Sequence, residues 1–227
     1  MRVFSVLIGF LLLVSCAALP AIRQQEEVGG KKFECPSPFL REKTRLIHAI
    51  EVHAAGQPQT VMMGVTLADP AFRSLSCALM SAEGMVLLEA SLNSDGLRIS
   101  RALSPFAEGD FIRKMMEDIE LIFFAPQGNP VQKGVFSGGE PVCRWHSRLS
   151  GWIDASAERD GSIVIRNYAE NGGLRRSVQL DVAAHPYAII ELHAFERIPY
   201  SLVMTLIESE AVHDDALQQK KSRGGSP

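Results

Sequence analysis

Alternation of apolar and polar side chains with a period of two, broken once by a stretch of helical period, is what most limits the folds open to this chain. Leu46, Ile50 and Val52 mark one strand, and Val61, Met63, Val65 and Leu67 a second, with Gly56-Gln57-Pro58 as the turn between them. Leu75, Cys77 and Leu79 give a third, Ala82-Glu83-Gly84 a turn, and Val86, Leu88, Ala90 and Leu92 a fourth. Asn93-Ser94-Asp95-Gly96 is a hairpin signal, because Asp-Gly tolerates the positive φ of such turns, and Leu97 and Ile99 open a fifth strand. The period then changes. Phe111, Ile112, Met115, Met116, Ile119, Ile122 and Phe123 fall at offsets 0, 1, 4, 5, 8, 11 and 12, the apolar stripe of one helix. Ser104-Pro105 or Asp110 supplies its start, and Ala125-Pro126 its stop. Glu108, Arg113, Lys114, Glu117 and Glu120 lie mostly outside the stripe, and Asp118 is assigned with Glu120 to the solvated side. After a Gly- and Pro-containing loop over 126–141, alternation resumes at 142–149, 151–158, 162–168, 174–183, 187–197 and 200–209. About eleven short antiparallel strands and one long helix predict a mainly β (α+β) fold. Its expected form is a curved antiparallel sheet or unclosed β-barrel with the amphipathic helix across its concave face.

The N-terminus predicts where such a domain works. Met1-Arg2, the apolar run Val3 to Val14 and the small residues around Cys16 have the form of a secretory signal, too short for a transmembrane helix. Leu13-Val14-Ser15-Cys16 fits the bacterial lipobox, in which the cysteine is acylated and becomes the new N-terminus. An ordinary signal peptide cut a few residues later, with Cys16 discarded, is the other reading. The expected organisation is a signal peptide over 1–15, a lipidated tether over 16–40, the domain over 41–212 and a disordered tail over 213–227. Net charge is −3 with scattered basic residues, which argues against nucleic acid as a partner. Apart from Cys16, the cysteines are Cys35, Cys77 and Cys143. Cys77 sits in an apolar strand and reads as a buried small hydrophobe, which favours a disulfide between Cys35 and Cys143.

The stretch Arg73-Ser74-Leu75-Ser76-Cys77-Ala78-Leu79-Met80-Ser81-Ala82-Glu83-Gly84-Met85-Val86-Leu87-Leu88-Glu89-Ala90 resembles the third and fourth strands of LolB-like lipoproteins. The Asp95-Gly96 hairpin follows where that family has one. Met116-Glu117-Asp118-Ile119-Glu120-Leu121-Ile122-Phe123-Phe124-Ala125-Pro126 is similar to the helical segment of a lipoprotein branch related to LolA and LolB. The resemblance covers about residues 45–125, and the rest only by strand count. It implies an unclosed barrel whose helices plug a hydrophobic cavity that receives the acyl chains of a lipoprotein or similar lipid. LolB inserts an apolar side chain into the membrane from the loop between its third and fourth strands. Here that loop runs from Met80 to Met85 with Glu83 near the tip and no Leu, a departure from the pattern. Ala17 after Cys16 is not the aspartate that retains lipoproteins at the inner membrane in enteric-type bacteria, which implies the outer membrane, facing the periplasm.

No catalytic motif emerges: the chain has no Gly-x-Ser-x-Gly, His-Glu-x-x-His, Cys-x-x-Cys or phosphate-binding glycine loop. His48 and His53 are five apart, on opposite faces of a strand, and do not suit joint metal ligation. No metal and no cofactor are expected. The expected ligand-binding residues are Phe111, Met115, Met116, Ile119 and Phe123 as lid and Leu75, Leu79, Val86 and Leu88 as wall, with Met80 and Met85 on the membrane or cargo loop. Thioether side chains, which recur here, adapt well to irregular acyl chains. The partners implied are lipid acyl chains or lipoprotein cargo, a membrane reached through the anchor, and a periplasmic carrier protein. Two alternatives stand beside this. One is an assembly lipoprotein that uses the curved sheet as a protein-docking surface. The other is an enzyme acting on a lipid or glycan, for which Asp118, His193 or Glu191 would have to cluster in a cleft.

Overall fold

The computed structural model describes residues 18–25, 27–28, 31–54, 60–107, 110–147, 151–181 and 187–213. Fifteen strands are described: β1 Arg23–Gln24, β2 Glu27–Val28, β3 Lys31–Lys32, β4 Thr44–Ala54, β5 Thr60–Asp69, β6 Ser74–Met80, β7 Val86–Asn93, β8 Gly96–Ala102, β9 Gln132–Val135, β10 Pro141–Ser147, β11 Gly151–Ala157, β12 Ile163–Tyr168, β13 Leu174–Asp181, β14 Ile189–Ala194 and β15 Tyr200–Ala211. One helix, α1, spans Phe111–Phe123. Thirteen strands form a single antiparallel sheet in the order β1-β9-β10-β11-β12-β13-β14-β15-β4-β5-β6-β7-β8, and β2 and β3 pair with each other. The sheet is unclosed: β1 and β8 are its two edges. The fold is therefore mostly β with one helix, as the alternation predicts.

Two meanders, β4 to β8 and β9 to β15, are joined along the long β15–β4 pairing, where Arg45 of β4 bridges Glu208 and Glu210 of β15 at 2.6 and 2.8 Å. The helix leads from the edge strand β8 to β9, which neighbours the other edge, and crosses the concave face, where its stripe supplies Ile112, Met116, Ile122 and Phe123 to the core. Met116 meets the Cys77 sulfur of β6, and Phe123 lies edge-on to Tyr187 with ring centroids 5.4 Å apart. Burial pushes the Cys77 thiol up to about 11, so it stays protonated, as a buried small hydrophobe should.

The segment expected as a tether packs against the domain in its described part. Phe33 and Phe39 belong to the core, the Tyr187 hydroxyl donates to the Pro38 carbonyl at 2.7 Å, and Leu40 N donates to the Phe123 carbonyl at 3.0 Å. Cys35 and Cys143 form a disulfide, which fixes this strap to β10. Arg23–Gln24 adds a short strand to β9, which lies in the stretch expected to be loop. Gly134 makes that pairing possible, because a Cβ there would overlap the Arg23 carbonyl. Among the described residues, the strands of the main sheet run from Arg23 to Ala211, and the helix and the disulfide lie within that span.

Candidate functional site

A cleft of about 490 Å³ runs beside α1, between the helix and β10 to β13. Leu121, Phe124, Trp145 and Ile153 give it apolar walls, and Arg73, Arg113, Arg175, Glu117 and Glu120 stand among them. Local sequence explains the mixture. Leu121 lies on the flank of the helix away from the core stripe, whereas Trp145, Ile153, Asn167 and Arg176 form one cross-strand row on the concave face through consecutive register pairs.

The floor carries a buried ion pair. Arg176 Nε donates to Asp118 Oδ1 at 2.7 Å, and its Nη2 donates to Glu196 Oε1 at 2.7 Å, while the Tyr200 hydroxyl donates to the second Asp118 oxygen. Burial pushes the Asp118 carboxyl above the usual carboxylate range, against the opposing pull of Arg176 and Tyr200. The Arg176 guanidinium is burdened by the same burial, but Asp118 and Glu196 together hold it above its ordinary value. Asp118 is thus buried rather than solvated, and the group pins α1 to both β13 and β15. His193 and Glu191 lie exposed on the face of β14 opposite Leu192 and Ala194, so the three residues that an enzyme would have to gather are not brought together. Among the described residues, no group of three or more His, Cys, Asp or Glu side chains could hold a metal ion.

The residues expected to line a cavity lie apart from this cleft. Leu75, Leu79 and Leu88 are buried in the core with Met116 and Phe123, Met115 and Ile119 pack partly buried against them, and Val86 is half-buried. Phe111, at the first turn of α1, is 41 % exposed and stacks on Phe106 at 5.4 Å. None of these nine side chains lines the cleft, which opens on the other flank of the helix. Met80 ends β6 half-buried and Met85 stands exposed beside it on the β6–β7 loop. Cys16 lies outside the described residues, as do Gly56-Gln57-Pro58, Glu108, His185 and the tail from residue 214.

Among the described residues, His48 is the one buried side chain with an unmatched polar atom. It is 2 % exposed, stands near Phe123, and its Nε2 has no hydrogen-bond partner among the described residues. Burial pulls the imidazole down to about 4, against a hydrogen bond to the Tyr187 backbone that works to raise it. The folded form therefore binds the proton less well than the unfolded chain, whose histidine titrates near 6.5. The contribution is fully present above pH 6.5, is lost as pH falls toward 4, and saturates below that. Denaturant titrations at pH 7 and 4.5 are expected to show His48→Leu losing about 2 kcal/mol less stability on acidification than the parent chain.

No family model and no curated protein matches the chain. Among solved structures, the chain is similar to a LolA superfamily protein from Nitrosomonas europaea. The identity is 10 %, the match covers 77 % of this chain and 88 % of that one, and the TM-score is 0.49.

Proposed function

We propose that the protein is a membrane-anchored, non-enzymatic lipoprotein of the cell envelope. In this reading it is tethered to the outer membrane through a lipid on Cys16, faces the periplasm, and binds the acyl portion of a lipid or lipoprotein in order to move it. The observation that carries the proposal is the cleft beside α1, which has apolar walls and an open mouth on the concave face of an unclosed sheet. An acyl chain needs little more, because it is held by burial at about 25 cal/mol per Å² rather than by directed bonds. Residues 45–125 support the same reading through their resemblance to LolB-like sequences. Protein exported to the periplasm and beginning at Ala18 keeps every element of the fold and is expected to bind a fluorescent fatty acid at micromolar concentration. Leu121→Glu should weaken that binding about tenfold or more, since it puts a charge where a methylene chain would lie. No binding by the parent protein at micromolar probe would overturn the proposal.

The burial of Leu75, Leu79 and Leu88 with Met116 and Phe123 favours a second reading, in which the curved sheet is a docking surface for an envelope protein. Retention of function in cells by Leu121→Glu, alongside lost probe binding, would favour this docking role.

A further inference from the structure

Of the four arginines that line the cleft, three are already matched. Arg73 Nη2 lies 3.6 Å from Glu120 Oε1, Arg113 Nη1 lies 2.5 Å from Glu117 Oε1, and Arg176 Nε lies 2.7 Å from Asp118 Oδ1. Arg175 is different. The register between β12 and β13 pairs Asn167 with Arg176 but Tyr168 with Leu174, so Arg175 is the extra residue of a β-bulge. In an unbroken strand it would point to the face opposite Arg176, whereas the bulge lets both line the cleft. The backbone there is held firmly: the Arg175 carbonyl accepts from Phe195 N at 2.9 Å and from Arg176 Nη1 at 3.0 Å. Its own guanidinium is half-buried and has no carboxylate partner among the described residues. Arg175 is thus the one lining arginine whose guanidinium has no carboxylate partner among the described residues, and it stands beside the apolar walls of Leu121, Phe124, Trp145 and Ile153.

We infer that the cleft takes a single-chain amphiphile with one negative charge, a fatty-acid carboxylate, whose oxygens accept from Arg175 while its chain lies along those walls. The inference rests on the acyl-binding reading above and adds the head to the tail. A planar guanidinium donates to both carboxylate oxygens at once. A doubly charged phosphate monoester would bring a second negative charge up to Glu117 and Glu120.

The chain has two tryptophans, and Trp152→Phe leaves Trp145 in the cleft as the only indole. In this background, starting at Ala18 and at pH 8, brominated dodecanoate is expected to quench Trp145. Competition should show dodecanoate binding about fivefold or more tightly than monolauroylglycerol, which has a neutral head, the scale set by a half-exposed charge pair. Arg175→Gln should remove that preference by weakening dodecanoate more than the glyceride, and Arg175→Lys should keep most of it, which also shows that the bulge still folds. Equal binding of acid and glyceride by the parent, or an undiminished preference in Arg175→Gln, overturns the charge assignment and leaves acyl binding standing. Tighter binding of dodecyl phosphate than of dodecanoate overturns the carboxylate assignment. No quenching by any of these amphiphiles overturns the inference and the acyl-binding reading together.

Discussion

Replacing Arg176 with methionine is expected to lower the free energy of unfolding by about 3–5 kcal/mol, because it leaves the Asp118 carboxylate buried without its cation. The two side chains are 5 and 7 % exposed, so water cannot take the place of the lost partner. The Tyr200 hydroxyl would remain as one donor to Asp118, and Glu196 would keep only Lys114. Asp118→Leu combined with Arg176→Met should recover most of the loss, since an apolar pair of similar size carries no desolvation cost. Urea titrations of the two single variants and the double variant give the coupling directly. A loss under about 1 kcal/mol for Arg176→Met would mean that the pair is effectively hydrated. The pair joins α1 to β13 and so holds the helix beside the strands that line the cleft.

Substituting serine for both Cys35 and Cys143 is expected to cost about 3–5 kcal/mol, the range for a crosslink that closes a loop of this length. The two residues are 108 apart in sequence, so the unfolded chain gains much freedom when the bond is absent. The strap would keep the burial of Phe33 and Phe39 and the hydrogen bonds of Pro38 and Leu40. Guanidinium midpoints of the double variant and of the reduced parent chain should coincide, well below that of the oxidised parent. Equal midpoints for oxidised and reduced protein would show that the strap is held by its other contacts alone.

Much of the architecture was legible because most strands are half-buried. In β13 and β14 the buried and exposed positions alternate almost without fault, and the sequence pattern alternates with them. Strand β10 defeats this rule. Val142, Cys143, Arg144 and Trp145 are all buried, since the core covers one face and the N-terminal strap the other. Two-residue β1 has no period to detect, and β9 carries a glycine and a lysine where alternation would be sought. Asp118 stands four residues before Ile122 and three after Met115, at the border of the apolar stripe, yet its charge argued for water. Its partner lies 58 residues further on in β13, a distance that no local pattern spans. The cleft leaves no local pattern for the same reason, because its walls come from the flank of α1 and from a row across β10 to β13. A bulge such as that at Arg175 leaves no mark in a single sequence, because it depends on how two strands pair.

With a lipid on Cys16, as proposed above, the strap would also determine how far the molecule can stray from a bilayer. Arg144, locked to Asp154 by two short bonds, donates through Nη2 to the Pro20 carbonyl at 3.0 Å, so the chain is seized four residues after Cys16. At about 3.5 Å per residue, a lipid on Cys16 would then be moored within roughly 15 Å of β10. Trp145 and His146 follow directly on that strand and line the cleft. Its mouth would be berthed next to the headgroups, and a hydrocarbon passing between protein and bilayer would cross hardly any open water.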